Sequence, residues 1–250
     1  MTTITNGVRA EEILIACIAD MLDGLGHIAV GASSPVPGSA AMLARERHPE
    51  RTRVSVLGSA ANNFFTDGGK ELFDCAGQGR IDAFFLGGAQ IDGQANINLV
   101  SVGDPDKPRV RFPGSFGSSY MYFTVPRVIL FRFEHTPRTL VGKVDFISAP
   151  GLSEPNVYRQ GGPCALITDR CLFLFDRDKG RFSLTSIHPG HTVEEIREQT
   201  GFDYDAPAEV PETRLPDAGT LEIMRGPVAA QIAEIYPGFA VDLFGFGKAA

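Results

Sequence analysis

His27-Ile28-Ala29-Val30, the break Gly31-Ala32-Ser33-Ser34-Pro35, a helical run from Ser39 through Ala40, Met42, Leu43 and Ala44 to about His48, and then Arg53-Val54-Ser55-Val56-Leu57 ending in Gly58-Ser59 decide the fold. Two short β-type runs flank one helix, with Gly, Ser and Pro at the first junction. That order suits a parallel sheet with helices packed against it. Upstream, Ala10 to Asp23 carries Ile13, Leu14, Cys17, Ile18, Met21 and Leu22 at spacings of three and four, and Gly24 follows as a stop. The expected class is α/β, a mostly parallel open sheet with helices on both faces.

The pattern continues downstream. Lys70 to Gly77 reads as a helix, and Ile81-Asp82-Ala83-Phe84-Phe85-Leu86 as an apolar strand that stops at Gly87-Gly88-Ala89-Gln90. A loop rich in Asn and Gly follows (Asp92, Gly93, Asn96, Asn98), then a Pro-, Gly- and Arg-dense stretch from Asp104 to Gly117. Val125 to Phe133 and Val141 to Ile147 read as strands, Cys164 to Thr168 and Cys171 to Phe175 as a strand pair, and Arg181 to Ser186 as another strand. Thr192 starts a helix, with Glu195 placed to reach back to it in a capping box, and Gly201 ends it. A Pro-rich acidic connector, Asp203 to Asp217, leads to helical segments at Leu221 to Arg225 and Pro227 to Tyr236, and to an apolar, exposed-looking Phe239 to Phe244. The composition shows no sharp shift. One domain over residues 1–225 is expected, followed by an apolar extension over 226–250.

The chain has 250 residues, 43% hydrophobic and 21% charged, which is globular rather than disordered. No apolar run reaches the roughly 18 residues of a membrane span, and the polar Met1 to Arg9 is not a signal peptide. A cytoplasmic location is expected. With 23 basic against 30 acidic side chains the net charge is −7. Nothing here forms the basic stripe that nucleic acid requires. Four scattered cysteines (Cys17, Cys75, Cys164, Cys171) read as buried reduced thiols rather than as metal ligands or disulfides, and no histidine set has metal spacing.

Chemistry on open parallel sheets gathers at the carboxyl ends of strands. Gly31 to Gly38 leads into a helix whose N-terminus suits an anion, but its spacing is no nucleotide fingerprint, and an ordinary strand-to-helix turn is the preferred reading. At the second strand end, Ser59 is a hydroxyl without a visible triad. Asn62 and Asn63 either donate to a substrate carbonyl or hold the turn as Asx side chains. At the third, Gly87 and Gly88 let a ligand approach the backbone, and their N–H groups suit an oxyanion, although Gly-Gly is also common turn chemistry. His188, in His188-Pro189-Gly190-His191, reads as a structural turn residue, and His135 as a solvated rim position. Lys107, Arg109 and Arg111 alternate either as a solvated strand face or as a binder of ligand phosphates.

Several of these stretches resemble one family in order along the chain. Phe85-Leu86-Gly87-Gly88-Ala89-Gln90-Ile91-Asp92 with Gly93-Gln94-Ala95-Asn96-Ile97-Asn98 is similar to the GGAQVDxxGNxN signature of family I CoA-transferase β subunits, of the glutaconate CoA-transferase type. Lys107-Pro108-Arg109-Val110-Arg111-Phe112-Pro113-Gly114-Ser115 resembles KPxVRxPGSGG, and Val144 to Gly151 resembles VDFITSPG. Gly161-Gly162-Pro163 with Ile167-Thr168-Asp169 is similar to GGPxxVITD. Ser186 to Gly190, Thr192 to Glu195 and Thr200-Gly201-Phe202 are similar to LHPGVTVEEVxxxTGF. The resemblance spans roughly residues 80–225 and implies the coenzyme A transferase superfamily fold. It also implies an α subunit of similar fold sharing the active site, in an αβ or α2β2 assembly. No bound cofactor or metal is implied; a coenzyme A thioester is the substrate.

One departure stands out. Transferases of this family carry a catalytic glutamate in the turn that here reads Val56-Leu57-Gly58, so Val56 holds the position of the missing glutamate. No Asp or Glu occurs from Arg51 to Thr66. An isopropyl group cannot attack a thioester. The resemblance therefore implies an enzyme subunit acting on an acyl-CoA ester, a transferase by family, with Gly87, Gly88 and Gln90 as its catalytic contribution and Asn62, Asn63, Phe64 and Phe65 as substrate contacts. Divergent relatives that hydrolyse or decarboxylate CoA esters, with the working carboxylate on the α subunit, form the alternative. A non-catalytic scaffold chain is a third reading. This half of the site is expected to lend amides and walls but no carboxylate.

Overall fold

The computed structural model describes residues 3–4 and 7–247. Residues 1–2 and 5–6 of the polar N-terminal stretch, and the last three residues of the 226–250 tail, lie outside that description. The chain divides into two compact units, Met1–Cys75 with Arg80–Phe85 and Thr213–Ala250, and Ala76–Gly79 with Leu86–Glu212.

The first unit opens with β1 (Thr3–Ile4) paired antiparallel to β2 (Val8–Arg9), followed at once by α1 (Ala10–Met21). The Glu12 carboxylate takes the Arg9 backbone N–H at 2.9 Å, closing the helix start from within its first turn. Parallel strands β3 (His27–Val30), β4 (Arg53–Val56) and β5 (Ala83–Leu86) run in the order β4-β3-β5. Their side chains Ile28, Val30, Val54, Val56 and Ala83 are buried, as parallel strands covered by helices must be. Helix α2 (Pro35–Arg47) begins four residues before the expected start at Ser39, because Pro35 opens it as the first helical residue. Helices α1 and α2 pack on each other through Ile13, Leu14, Ile18, Ala40, Met42 and Leu43.

Thr213–Ala250 completes this unit with α6 (Ala218–Ile223), a π-helical turn over Met224–Val228, α7 (Ala229–Ile235) and α8 (Pro237–Phe244). Pro227 sits inside the π turn, where its missing N–H breaks the regular ladder. Arg225 leaves the same turn to grip the buried Glu12 with both ends of its fork, at 2.7 and 2.9 Å. The expected exposed apolar run from Phe239 to Phe244 is instead helix α8. Its Ala240 and Leu243 are buried, and Phe239 meets Phe244 edge-on.

In the second unit β10 (Arg127–Phe131) pairs parallel with β11 (Pro163–Ile167), and β11, β12 (Cys171–Asp176) and β13 (Arg181–Ile187) continue antiparallel. Phe173, Phe175, Phe182, Phe202 and Tyr204 form one aromatic cluster over these strands, with centroid separations from 4.8 to 6.2 Å. Two short hairpins precede them. One joins β6 (Gln90–Ile91) to β7 (Ile97–Asn98), and the other joins β8 (Ser101–Val102) to β9 (Val110–Arg111). Helices α3 (Gly69–Gly77), α4 (Ser118–Thr124) and α5 (Val193–Gln199) complete the elements.

Three expectations change in this unit. Val141 to Ile147 is irregular, with isolated bridges only at Leu140 and Ala149. Its backbone is held instead by single bonds from Val141 N to Ile91 O and from Val144 and Asp145 to side chains of the first hairpin. Thr192 caps α5 as expected, accepting Glu195 N at 3.2 Å, but the Glu195 carboxylate is taken by Arg170 and His191 rather than by the cap. His135 is no rim residue. It is buried, bonded to Thr168 Oγ1 at 2.8 Å and to Thr200 Oγ1 at 2.9 Å, and burial lowers its pKa to about 4. His188 is structural as expected, buried against the Thr168 carbonyl at 3.1 Å and likewise lowered to about 4 by burial.

Candidate functional site

Strand β5 ends in Gly87-Gly88, and both glycines are sterically required. A Cβ on Gly87 would lie 2.8 Å from the Phe131 carbonyl. One on Gly88 would lie 2.7 Å from both the Gln90 carbonyl and Ile97 Cγ2. The space a side chain would need is thus already filled by protein, while the two residues still line a cavity of about 1180 Å³. Ala89 N is tied to Asn98 O at 2.9 Å, which fixes the turn against the first hairpin.

Gln90 is buried, and its amide is largely engaged. Oε1 accepts Asn98 Nδ2 at 2.7 Å and Asp145 N at 3.0 Å, while Nε2 donates to Asp145 Oδ2 at 3.0 Å. Asp145 Oδ2 also accepts Gly103 N at 2.7 Å. So Gln90 holds Asp145 in place rather than standing free for a substrate. Asp145 itself lines the cavity beside Gly88, which corrects the expectation that this half lends no carboxylate there. The motif Val144-Asp145-Phe146-Ile147 is visible in the sequence, but nothing in its spacing ties it to Gln90, 55 positions away.

The cavity is also cationic. Arg109, Arg132 and Arg138 line it. Arg132 follows β10, and Arg138 is held by Glu134, whose carboxylate bridges the two guanidinium groups at 3.1 and 2.6 Å. The hydrogen bond from Arg138 leads the causes that lower the Glu134 pKa. Arg132 Nε is buried and makes no hydrogen bond among the described residues. Three arginines against Glu134 and Asp145 make a polar cavity suited to an anion. Of the expected basic run, Arg109 takes part, and β9 carries Val110 and Arg111 as an exposed pair.

The other expected contacts belong to the first unit. Val56 is fully buried at the end of β4. Gly58 turns the chain with φ +93°, where a side chain would be strained though nothing lies within 4 Å of it. Asn62 is buried, with its backbone N–H on Ser59 Oγ at 2.8 Å. Asn63 Oδ1 caps Phe65 N at 3.2 Å, the Asx reading of this turn. Phe64 is 55% exposed beneath the Arg53 guanidinium, and Phe65 stacks on His27. Glu234, which sequence spacing does not reveal, accepts Ser59 Oγ at 2.6 Å and Ala60 N at 2.8 Å. At the Gly31–Gly38 turn, Ser34 N is taken by the Tyr236 hydroxyl at 3.1 Å, so this amide is not offered to an anion.

All four cysteines are free, and burial raises the pKa of Cys17 to about 12 and of Cys164 to about 11, so these two are inert as thiolates. Among the described residues no cluster of three or more His, Cys, Asp or Glu could hold a metal, and no helix is long and apolar enough to cross a membrane.

Against known proteins, the family described as coenzyme A transferase matches residues 7–199. The β-type subunit of 3-oxoadipate CoA-transferase from Pseudomonas knackmussii is 37% identical over 153 residues, 59% of this chain and 58% of that protein. This match therefore spans less than two thirds of the relative's length. The IpdB chain of the cholesterol ring-cleaving hydrolase from Rhodococcus jostii is 28% identical over 89% of this chain and 93% of that protein. Among solved structures, the decarboxylase AibA/AibB superposes with a TM-score of 0.75 at 26% identity, covering 95% of this chain and 99% of that one.

Proposed function

The chain belongs to the coenzyme A transferase family, and on that premise we propose that it is the β-type chain of a two-chain, cytoplasmic enzyme acting on an acyl-CoA thioester. The observation that carries this reading is the cavity at the end of β5, with Gly87 and Gly88 on its wall and three arginines around it. Backbone N–H groups at the two glycines suit the oxygen of a thioester as it gains charge, where removing one donor costs about 2.7–4 kcal/mol of barrier. Arg109, Arg132 and Arg138 suit the anionic groups that a CoA ester carries. The 3-oxoadipate CoA-transferase relative, itself the β-type chain of its enzyme, supports an α-type partner here, in an αβ or α2β2 assembly.

The reaction type follows from carboxylates. Val56 is an apolar, buried residue where the family resemblance places the nucleophilic glutamate. Asp145 is the carboxylate this chain does bring to the cavity, yet Gly103 N and Gln90 Nε2 both hold its Oδ2. A carboxylate so bonded is stabilised as an anion and is a poorer nucleophile. Hydrolysis or decarboxylation, with the working carboxylate on the α-type chain, is therefore favoured over ping-pong transfer through this chain. The hydrolase and decarboxylase among its relatives are consistent with that choice. The test is co-expression with the α-type chain and assay of acyl-CoA turnover. Activity only in the assembly is expected; full activity of the isolated chain would overturn the reading.

A further inference from the structure

The turn after β4 contains no acidic residue, yet a carboxylate is bound to it. Glu234, 175 positions away on α7, accepts the Ser59 hydroxyl at 2.6 Å and the Ala60 amide at 2.8 Å. Ser59 is buried, and its Oγ in turn accepts Asn62 N at 2.8 Å. The Asn62 carbonyl accepts Val56 N at 2.7 Å. Hydrogen bonds thus run without a gap from α7 through Ser59 to Asn62 and back to the last residue of β4. Asn62 is only 8% exposed, and its side-chain amide makes no hydrogen bond among the described residues. Asn63, by contrast, has its side-chain oxygen occupied by Phe65 N. A largely buried amide left unpaired costs about 1–3 kcal/mol, which a ligand oxygen would recover.

Resting on the acyl-CoA reading above, we propose that Glu234 is a positioning residue that acts through Ser59 to fix Asn62, whose side-chain amide donates to an oxygen of the acyl group. The helix α7 thereby returns order, though no nucleophile, to the turn in which the family resemblance places a glutamate. Glu234 fits this role because its two oxygens serve two different donors on one short turn, which a single oxygen could not do. Breaking either bond frees Ser59 to rotate and removes the acceptor that orients the Asn62 segment.

The experiment uses the enzyme assembled with its α-type chain and compares Glu234→Ala, Glu234→Gln, Asn62→Ala and the double variant Asn62→Ala/Glu234→Ala. Glu234→Ala is expected to lower kcat/KM about 10- to 100-fold, the scale of a misplaced contact group. Glu234→Gln keeps an acceptor for Ala60 N and should recover part of the loss. The double variant should be no worse than Asn62→Ala alone, because the two residues act in one chain. Additive losses, or an unchanged Glu234→Ala in an active assembly, would overturn the proposal. Hydrogen exchange on the isolated full chain gives a readout independent of turnover. The amides of Ala60 and Asn62 should lose protection in Glu234→Ala, and unchanged protection would also overturn it. An assembly inert toward every acyl-CoA ester tested would instead overturn the enzyme reading and the Asn62 contact, leaving exchange to decide whether the clamp exists.

Discussion

Two strand ends carry the candidate chemistry, and they are built in opposite ways. The turn after β5 is made by its own residues, since Gly87 and Gly88 are required by atoms that a Cβ would strike at 2.7–2.8 Å. The turn after β4 is made by a distant one, since Glu234 reaches in from α7 to hold Ser59 and Ala60. A turn fixed by local sterics tolerates almost no side-chain change, whereas a turn fixed by a remote hydrogen bond keeps its shape only while its partner is present. The first kind is visible as a Gly-Gly pair in sequence, and the second is not.

The sharpest way to break this comparison is a pair of alanine substitutions. Gly88→Ala forces a Cβ against the Gln90 carbonyl and Ile97, and should cost about 1–3 kcal/mol or more of overpacking. Gly58→Ala meets no atom within 4 Å, so only its positive φ is penalised, at about 1 kcal/mol. Denaturant midpoints of the two variants check the order, and equal losses would refute the steric account of the β5 turn.

Acid should separate the two units. Burial lowers the pKa of both His135 and His188 from 6.5 to about 4, and both lie in the second unit. The unfolded chain takes up their protons near pH 6.5, while the folded chain refuses them until about pH 4. Their stabilisation is therefore complete above pH 6.5 and is lost as pH falls toward 4. Hydrogen exchange across that range should show protection falling in β11 and β12 more than in β3 and β4. Uniform loss would count against it.

Smaller effects sharpen the picture at single residues. Gln90→Leu removes two bonds to Asp145 and one to Asn98, with an expected cost of about 1–3 kcal/mol in a thermal or denaturant melt. Phe64→Ala, at an exposed ring stacked under Arg53, should change stability by about 0.5 kcal/mol or less. If Phe64 contacts the acyl group, its KM rises in the assembled enzyme. An unchanged KM would remove Phe64 from the substrate contacts.

The alternation of strands and helices is legible because β3, β4 and β5 are buried on both faces and so read as short apolar runs. The start of helix α2 is harder to place, because Pro35 inside a Gly/Ser/Pro stretch reads as a break, although proline is well suited to a first helical turn. Val141 to Ile147 has β-type residues but gives its hydrogen bonds to hairpin side chains, a tertiary choice that periodicity does not encode. At the site, Gly87 and Gly88 stand out through their own chemistry. Asp145, Arg132 and Arg138 do not, because their roles depend on Gln90 and Glu134 meeting them in space. His135 misleads for the same reason, since two threonines 33 and 65 positions away bury and satisfy its ring.

The central claim is that this chain shapes and polarises a site for a CoA ester without forming the acyl bond itself. The most direct measurement incubates the assembled enzyme with an acyl-CoA substrate, traps with hydroxylamine and determines the intact mass of each chain. The expected result is no added mass on this chain, with any label confined to its α-type partner. A hydroxamate on this chain, at Asp145, Glu234 or any other carboxylate, would contradict the claim.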